Sequence, residues 1–248
     1  FINPKSEFSK ADQQCITCFD FNLDFTYIAA ATELCSDQNV YIHFWDYRKP
    51  NQLITSYNEA HKNDVNDIEF HPTQRSILAS GGCDELVNIF DVIQSDEEEA
   101  LLATLNIESS IARIRWSKCK NENNLFCMTQ DELIQFWNYD EVKPSWQFNG
   151  KANDFDYDYV VDVIDYKDLI CVGNNQGIIY VYDVDDVNCN FSLTNGHSKE
   201  VRTICTNKEC SMVFTGGEDG VVCTWHYDQS DGDNQTIKQK TKLKRKDE

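Results

Sequence analysis

Residues 196–227 read GHSKEVRTICTNKECSMVFTGGEDGVVCTWHY, and residues 61–92 read HKNDVNDIEFHPTQRSILASGGCDELVNIFDV. The two stretches share one grammar. In the second, Val65, Ile68 and Phe70 make an apolar strand and His71-Pro72-Thr73-Gln74 a turn. Ile77 and Ala79 sit on the next strand, and Gly81-Gly82-Cys83-Asp84 turns again. Val87, Ile89 and Asp91 then alternate with Asn88 and Phe90 in a third strand. A glycine pair precedes each carboxylate turn, Gly81-Gly82 and Gly216-Gly217. Glycine adopts positive φ cheaply, so the pair is expected to supply the left-handed backbone of that turn.

The same ending recurs along the chain: an apolar strand closed by an aromatic and a polar residue. It occurs as Trp45-Asp46, Phe90-Asp91, Trp137-Asn138, Tyr182-Asp183 and Trp225-His226, at intervals of 45, 47, 45 and 43 residues. A period near 45 residues with several short strands per period is the mark of a repeat architecture.

Residues at fixed spacing within the two clearest repeats resemble the WD40 family. His197, Thr215, Asp219 and Trp225 stand at the places of the family's structural tetrad. The resemblance implies a hydrogen-bonded chain from Asp through His and Ser/Thr to the Trp indole. His61, Ser80 and Asp84 match with nearly the same spacing, but Phe90 replaces the Trp and has no N–H, so that chain ends one bond short. The other three repeats are degenerate: Asp131 lies six residues before Trp137, and Gln176 takes the corresponding place before Tyr182. The resemblance covers about residues 15–227 and implies an all-β β-propeller.

Five repeats are visible. An open arc of blades leaves hydrogen-bonding edges and apolar faces uncovered. Together with a first residue that is Phe1 and not Met, this leads to the expectation of blades three to seven of a seven-bladed propeller. Residues 1–14 would then hold the outer strand of the preceding blade. The propeller is expected over residues 1–227. A disordered tail is expected over residues 228–248, polar and then basic.

The chain has 248 residues, 41% of them apolar, enough for a sizeable core. No apolar run approaches the ~20 residues of a membrane span. Eleven cysteines in no framework read as reduced, mostly buried thiols of an intracellular protein, nuclear or cytoplasmic. Cys15 and Cys18 form a CxxC inside a predicted strand, a geometry that opposes a zinc knuckle.

Net charge is −20, but Lys238, Lys240, Lys242, Lys244, Arg245 and Lys246 concentrate positive charge at the end, so the body is more acidic still. An acidic body repels nucleic-acid phosphate and anionic membrane, leaving only the basic run as a nucleic-acid contact or nuclear-import signal. His61 and His197 belong to the tetrads, His71 precedes Pro72 in a turn, and no GxSxG, P-loop or HExxH occurs. The acidic tracts Asp154–Asp158 and Asp231–Asp233 lack the glycine and final Glu of a calcium loop. The reading therefore names no catalytic residue, metal ligand or cofactor.

Binding remains, through loops on a rigid scaffold. In the WD40 family the rim lies at the start of the innermost strand and before the tetrad Asp. Here those places hold Asp64, Asn66, Glu200, Arg202 and Glu218. Three carboxylates among five predict a rim that favours basic peptides. The expected partners are other proteins, with the chain a single subunit within a complex. The alternative is a reader or chaperone-like module for basic proteins such as histones or ribosomal proteins.

Overall fold

The computed structural model describes residues 14–49, 51–117, 123–148, 157–164, 168–183, 189–207, 211–227 and 237–244. The chain divides into two compact units, Phe1–Phe148 and Asn149–Glu248. The first holds three four-stranded antiparallel sheets. These are β1 (Ile16–Phe21), β2 (Tyr27–Thr32), β3 (Ile42–Asp46) and β4 (Leu53–Tyr57), followed by β5 (Val65–Phe70), β6 (Ile77–Gly82), β7 (Leu86–Asp91) and β8 (Leu101–Asn106). A one-turn helix, α1 (Glu97–Ala100), precedes β8. The third sheet is β9 (Ile111–Trp116), β10 (Asn124–Thr129), β11 (Ile134–Asn138) and β12 (Lys143–Phe148). The second unit holds β13 (Tyr159–Ile164), β14 (Leu169–Gly173), β15 (Ile179–Asp183) and β16 (Cys189–Leu193), then β17 (Val201–Asn207), β18 (Met212–Gly217), β19 (Val221–Tyr227) and β20 (Ile237–Lys244).

Strands pair in chain order within each sheet, so every connection is a hairpin. The second strands carry little exposed surface: β6, β10 and β14 are buried at every residue. They are laddered on both edges and packed on both faces, which is why ILASGG and LICVG read as continuous apolar or small runs. Outer strands such as β8 and β12 are mostly exposed. Within each unit the core lies between neighbouring sheets. Phe44 and Tyr57 pack with Ile68 and Leu78, while Ile89 and Leu105 pack with Ile114 and Trp116. In the second unit Val161 and Ile179 pack with Val201 and Trp225.

The 45-residue period has a structural cause. In all five sheets the pairing of third and fourth strands slips just before the repeated aromatic, at Phe44/Trp45, Ile89/Phe90, Phe136/Trp137, Val181/Tyr182 and Thr224/Trp225. Each aromatic is buried. A bulge there increases local twist, and Phe90, Trp137 and Trp225 pack in the cores between neighbouring sheets.

Two expectations change. The glycine pairs are not the left-handed residues. Positive φ falls three positions later, at Glu85 (φ 69) and Gly220 (φ 71), and at Gln38, Glu132 and Gly177 in the other sheets. The pairs serve close approach instead. A Cβ on Gly82 would lie 2.6 Å from Asp84 Oδ1 and 2.8 Å from His61 Nδ1, and one on Gly217 would lie 2.8 Å from His197 Nδ1. Second, residues 237–244 of the expected tail form β20, the fourth strand of its sheet, paired with β19 from Val221↔Lys244 to Tyr227↔Ile237. Without it the outer edge of β19 would present unpaired backbone groups. Residues 1–13, 228–236 and 245–248 lie outside the described residues, as do Asp154, Asp156 and Asp231–Asp233.

Candidate functional site

The fifth sheet brings its four tetrad residues together. Trp225 Nε1 donates to Thr215 Oγ1 at 2.9 Å, and Thr215 Oγ1 lies 2.8 Å from His197 Nε2. His197 Nδ1 stands 3.1 Å from Asp219 Oδ1, whose other oxygen accepts the Ser198 N–H at 2.9 Å. These partners assign the protons: Nδ1 carries one and Nε2 accepts from the threonine hydroxyl. Burial pushes the Asp219 carboxyl up, but the donors Ser198 N, His197 and Val221 N outweigh it and hold the group below its ordinary range. The Trp225 ring covers Gly196, where a Cβ would collide with it.

The second sheet repeats the chain to its last link. His61 Nε2 lies 2.7 Å from Ser80 Oγ, and Nδ1 lies 3.0 Å from Asp84 Oδ1. Phe90 is fully buried and contributes no bond. Asn88, which the sequence reading passed over, reaches the same region: Nδ2 donates to Ala60 O at 2.8 Å, and Oδ1 accepts from Thr104 at 2.7 Å.

The degenerate repeats solve the same problem differently. In the third sheet Trp137 Nε1 donates to Gln135 Oε1 at 2.7 Å, and Gln135 Nε2 donates to Ile107 O at 3.1 Å. Asp131 accepts from Ser109 at 2.8 Å and from Thr129. In the first sheet His43 lies between Ser56 and Gln14, 2.7 Å from each. In the fourth, Asn174 Oδ1 holds the turn through Gln176 N and Ile178 N.

The rim residues divide by compact unit. In the first, Asp64 Oδ1 accepts the Leu34 N–H at 2.7 Å and Asn66 Nδ2 donates to Ile111 O at 2.6 Å, so both hold neighbouring sheets. Asn66 sits at the bulge of β5, and Thr17, at the bulge of β1, likewise donates to Val65 O. In the second unit Arg202 and Glu218 pair through Nε to Oε1 at 2.7 Å, with side chains 58% and 45% exposed. Arg202 also lies over the Tyr159 ring, 5.5 Å from its centroid, and Glu200 is half-buried nearby in sequence.

Several acidic side chains are structural. Innermost strands are edges, and their outward N–H groups need acceptors. Asp20 Oδ2 accepts the Phe70 N–H at 2.8 Å, Asp67 Oδ2 the Ile114 N–H at 3.0 Å, and Glu69 Oε2 the Trp116 N–H at 2.8 Å. Glu97, in the acidic run Asp96-Glu97-Glu98-Glu99, accepts from Asn58 N, Glu59 N and Ala60 N at 2.7–3.1 Å. Glu97→Ala leaves those three donors to water and a loosened loop. Its expected cost is about 1–2 kcal/mol, read from urea unfolding; Glu98→Ala, on an exposed neighbour, should be near neutral.

At the end of the first unit away from His61, the β1–β2 and β5–β6 loops border an open cavity of about 520 Å³. Asp20, Phe21, Phe25 and Glu69 help line it. Burial pushes the Glu69 carboxyl up to about 8, against the pull of Arg115 and the Trp116 N–H. His71 is buried; its Nδ1 accepts from Gln74 N at 3.0 Å and its ring stands against Trp116.

Thiols differ from expectation. Of the eight cysteines whose side chains are described, all free, only Cys127, Cys171 and Cys223 are buried, and Cys15 and Cys205 are exposed. Burial pushes the Cys18 thiol up to about 12. No described helix is long and apolar enough to cross a membrane.

Five four-stranded sheets, each burying an aromatic at a bulge of its third strand, with Asp–His–Ser/Thr chains in two of them, give the chain the all-β fold of a WD40 β-propeller. Residues 51–91 and 188–226 match the family described as WD domain, G-beta repeat. These are the two repeats with full His–Ser/Thr–Asp spacing. An uncharacterized WD repeat-containing protein of Saccharomyces cerevisiae is 31% identical over 82% of this chain and 54% of its own length. The WD repeat-containing protein 89 homolog of Dictyostelium discoideum is 24% identical over 70% of this chain and 52% of its own. The chain thus spans about half the length of these relatives. The crystal structure of the Cps50 (Swd1) β-propeller domain of Myceliophteria thermophila superposes with a TM-score of 0.73, at 11% identity, over 93% of this chain and 72% of that one. At that identity the likeness concerns the fold alone.

Proposed function

We propose that the chain is a non-enzymatic interaction scaffold that offers charged loops on rigid sheets to another protein. The observation that carries this reading is the fifth sheet. Its exposed Arg202–Glu218 pair is one residue from Asp219, which the His197 chain fixes in place. A charged group anchored in this way loses little freedom on binding. WD40 propellers are interaction scaffolds as a class, and a complex subunit, a GATOR2 protein of Gallus gallus, is among the relatives.

The acidic balance favours a basic partner, such as histones or ribosomal proteins. Glu200→Lys with Glu218→Lys is expected to reduce retention of purified core histones on the immobilised chain by about tenfold at 0.15 M salt, as charge reversal at an interface does. Asp64 is left intact because its carboxylate holds Leu34 N. Undiminished retention would remove the basic-partner reading and leave the scaffold without its charge preference.

A further inference from the structure

We propose that the cavity between the β1–β2 and β5–β6 loops receives a lysine or arginine side chain of a partner protein, cation between Asp20 and Glu69 and stem along Phe25. The proposal rests on the interaction-scaffold reading and names a second contact surface for it.

Charge complementarity identifies the occupant. Among the described residues the lining contains two carboxylates and no lysine or arginine. Glu69 spends Oε2 on the Trp116 N–H, and among the described residues no donor reaches Oε1. The cavity is of ligand-binding size and far larger than one side chain's polar tip needs, so a stem and its neighbours fit as well.

The walls are pre-set. Asn22 is 1% exposed and holds both loops: Oδ1 accepts from Thr26 N at 2.8 Å and Tyr27 N at 2.9 Å, and Nδ2 donates to Arg75 O at 3.2 Å. This turn forces Phe25 to φ 55, a conformation costly for a bulky residue, and leaves the residue 67% exposed. Phe25 stands 6.0 Å from Phe21, which in turn lies 6.3 Å from the half-exposed Tyr47. Leu23, beside it, is 55% exposed. Aromatic faces next to carboxylates suit a cation on an apolar stem.

Occupation displaces a proton. With the cavity empty, burial keeps the Glu69 carboxyl protonated at neutral pH, with Asp20 and Asp67 adding to the effect of burial and Arg115 opposing it. A cation arriving beside Glu69 favours its charged form, so the carboxyl proton leaves to solvent. Affinity should therefore rise with pH up to about 8 and level off above it.

The test uses the full chain and a fluorescein-labelled peptide alternating lysine and leucine, followed by anisotropy at 0.15 M salt. Glu69→Gln keeps an acceptor for the Trp116 N–H and is expected to weaken binding about tenfold and to flatten the pH dependence between 6 and 8. Phe25→Ala should weaken it as well. Glu98→Gln with Glu99→Gln, a control on exposed carboxylates, should change it less than about twofold. Equal losses in control and Glu69→Gln overturn the proposal, as does binding by Glu69→Gln that matches the unaltered chain. Histone retention lost through Glu200 and Glu218 but untouched by Glu69→Gln would leave the scaffold reading standing and remove this site alone.

Discussion

Trp116→Ala is expected to lower the unfolding free energy by about 4 kcal/mol, as truncation of a fully buried indole does. Trp116 is 0% exposed and closes the core between the second and third sheets with Ile89, Leu105 and Leu125. It also joins the two sheets by polar contacts. Its backbone N–H reaches Glu69 Oε2 at 2.8 Å, and its Nε1 donates to Glu69 O at 3.0 Å. The ring stands 4.6 Å from His71 and 5.7 Å from Tyr139 in edge contacts. Removing it leaves a cavity, an unmatched carbonyl on the edge of β5 and an unsupported His71. Trp116→Phe separates the terms. It keeps most of the apolar contact and deletes only the Nε1 bond, for an expected loss of about 1 kcal/mol. Urea unfolding followed by far-UV circular dichroism measures both. A loss below 2 kcal/mol for the alanine variant would contradict the packing described.

Trp116 also shows where sequence reasoning stops. The repeated aromatics at Trp45, Phe90, Trp137, Tyr182 and Trp225 are legible because their spacing repeats and each ends an apolar strand. Trp116 stands at the end of a first strand, where Phe21 and Phe70 are also aromatic but Ile164 and Asn207 are not, so its repeat is only partial. The tetrads were legible for a related reason: their members lie within one repeat at fixed offsets. Bonds between repeats have no such offset. Asp20 and Glu69 stand in no motif, yet both sit fifth in a first strand and hold an N–H of the next sheet. That shared place was the available signal. The last strand carried a signal too, with lysine at every second position from 238 to 244, a period of two. Net charge obscured it, because a basic run after polar residues reads as a tail. The glycine pairs mislead in the opposite direction: the residue type is informative, but its cause is the His–Asp pair pressed against the backbone and not the turn.

Asp219→Ala is the second large effect, expected at about 3 kcal/mol because it strands buried donors. The Asp219 carboxylate accepts from His197 Nδ1, Ser198 N and Val221 N, and its side chain is 6% exposed. The His197 side chain is fully buried, so its Nδ1–H would have no substitute acceptor. The loss propagates. His197 Nε2 accepts the Thr215 hydroxyl only while Nδ1 keeps its proton, and Thr215 Oγ1 in turn accepts from Trp225 Nε1. Asp219→Asn should cost less, since its carbonyl oxygen still takes one donor while its amide faces another. The same carboxylate sets a pH limit. Its folded pKa lies below the ordinary value, so it adds stability that is fully present above about pH 4 and is lost as pH falls through the folded pKa. Asp84, held below the ordinary range by His61 and Lys62 N against the effect of burial, acts in the same direction in the first unit. Acid titration followed by near-ultraviolet circular dichroism should show the unaltered chain losing tertiary signal below about pH 4. The Asp219→Ala chain, already without that contribution, should be less stable at pH 7 and show a shallower fall. An acid dependence as steep as that of the unaltered chain would mean that other carboxylates set the limit.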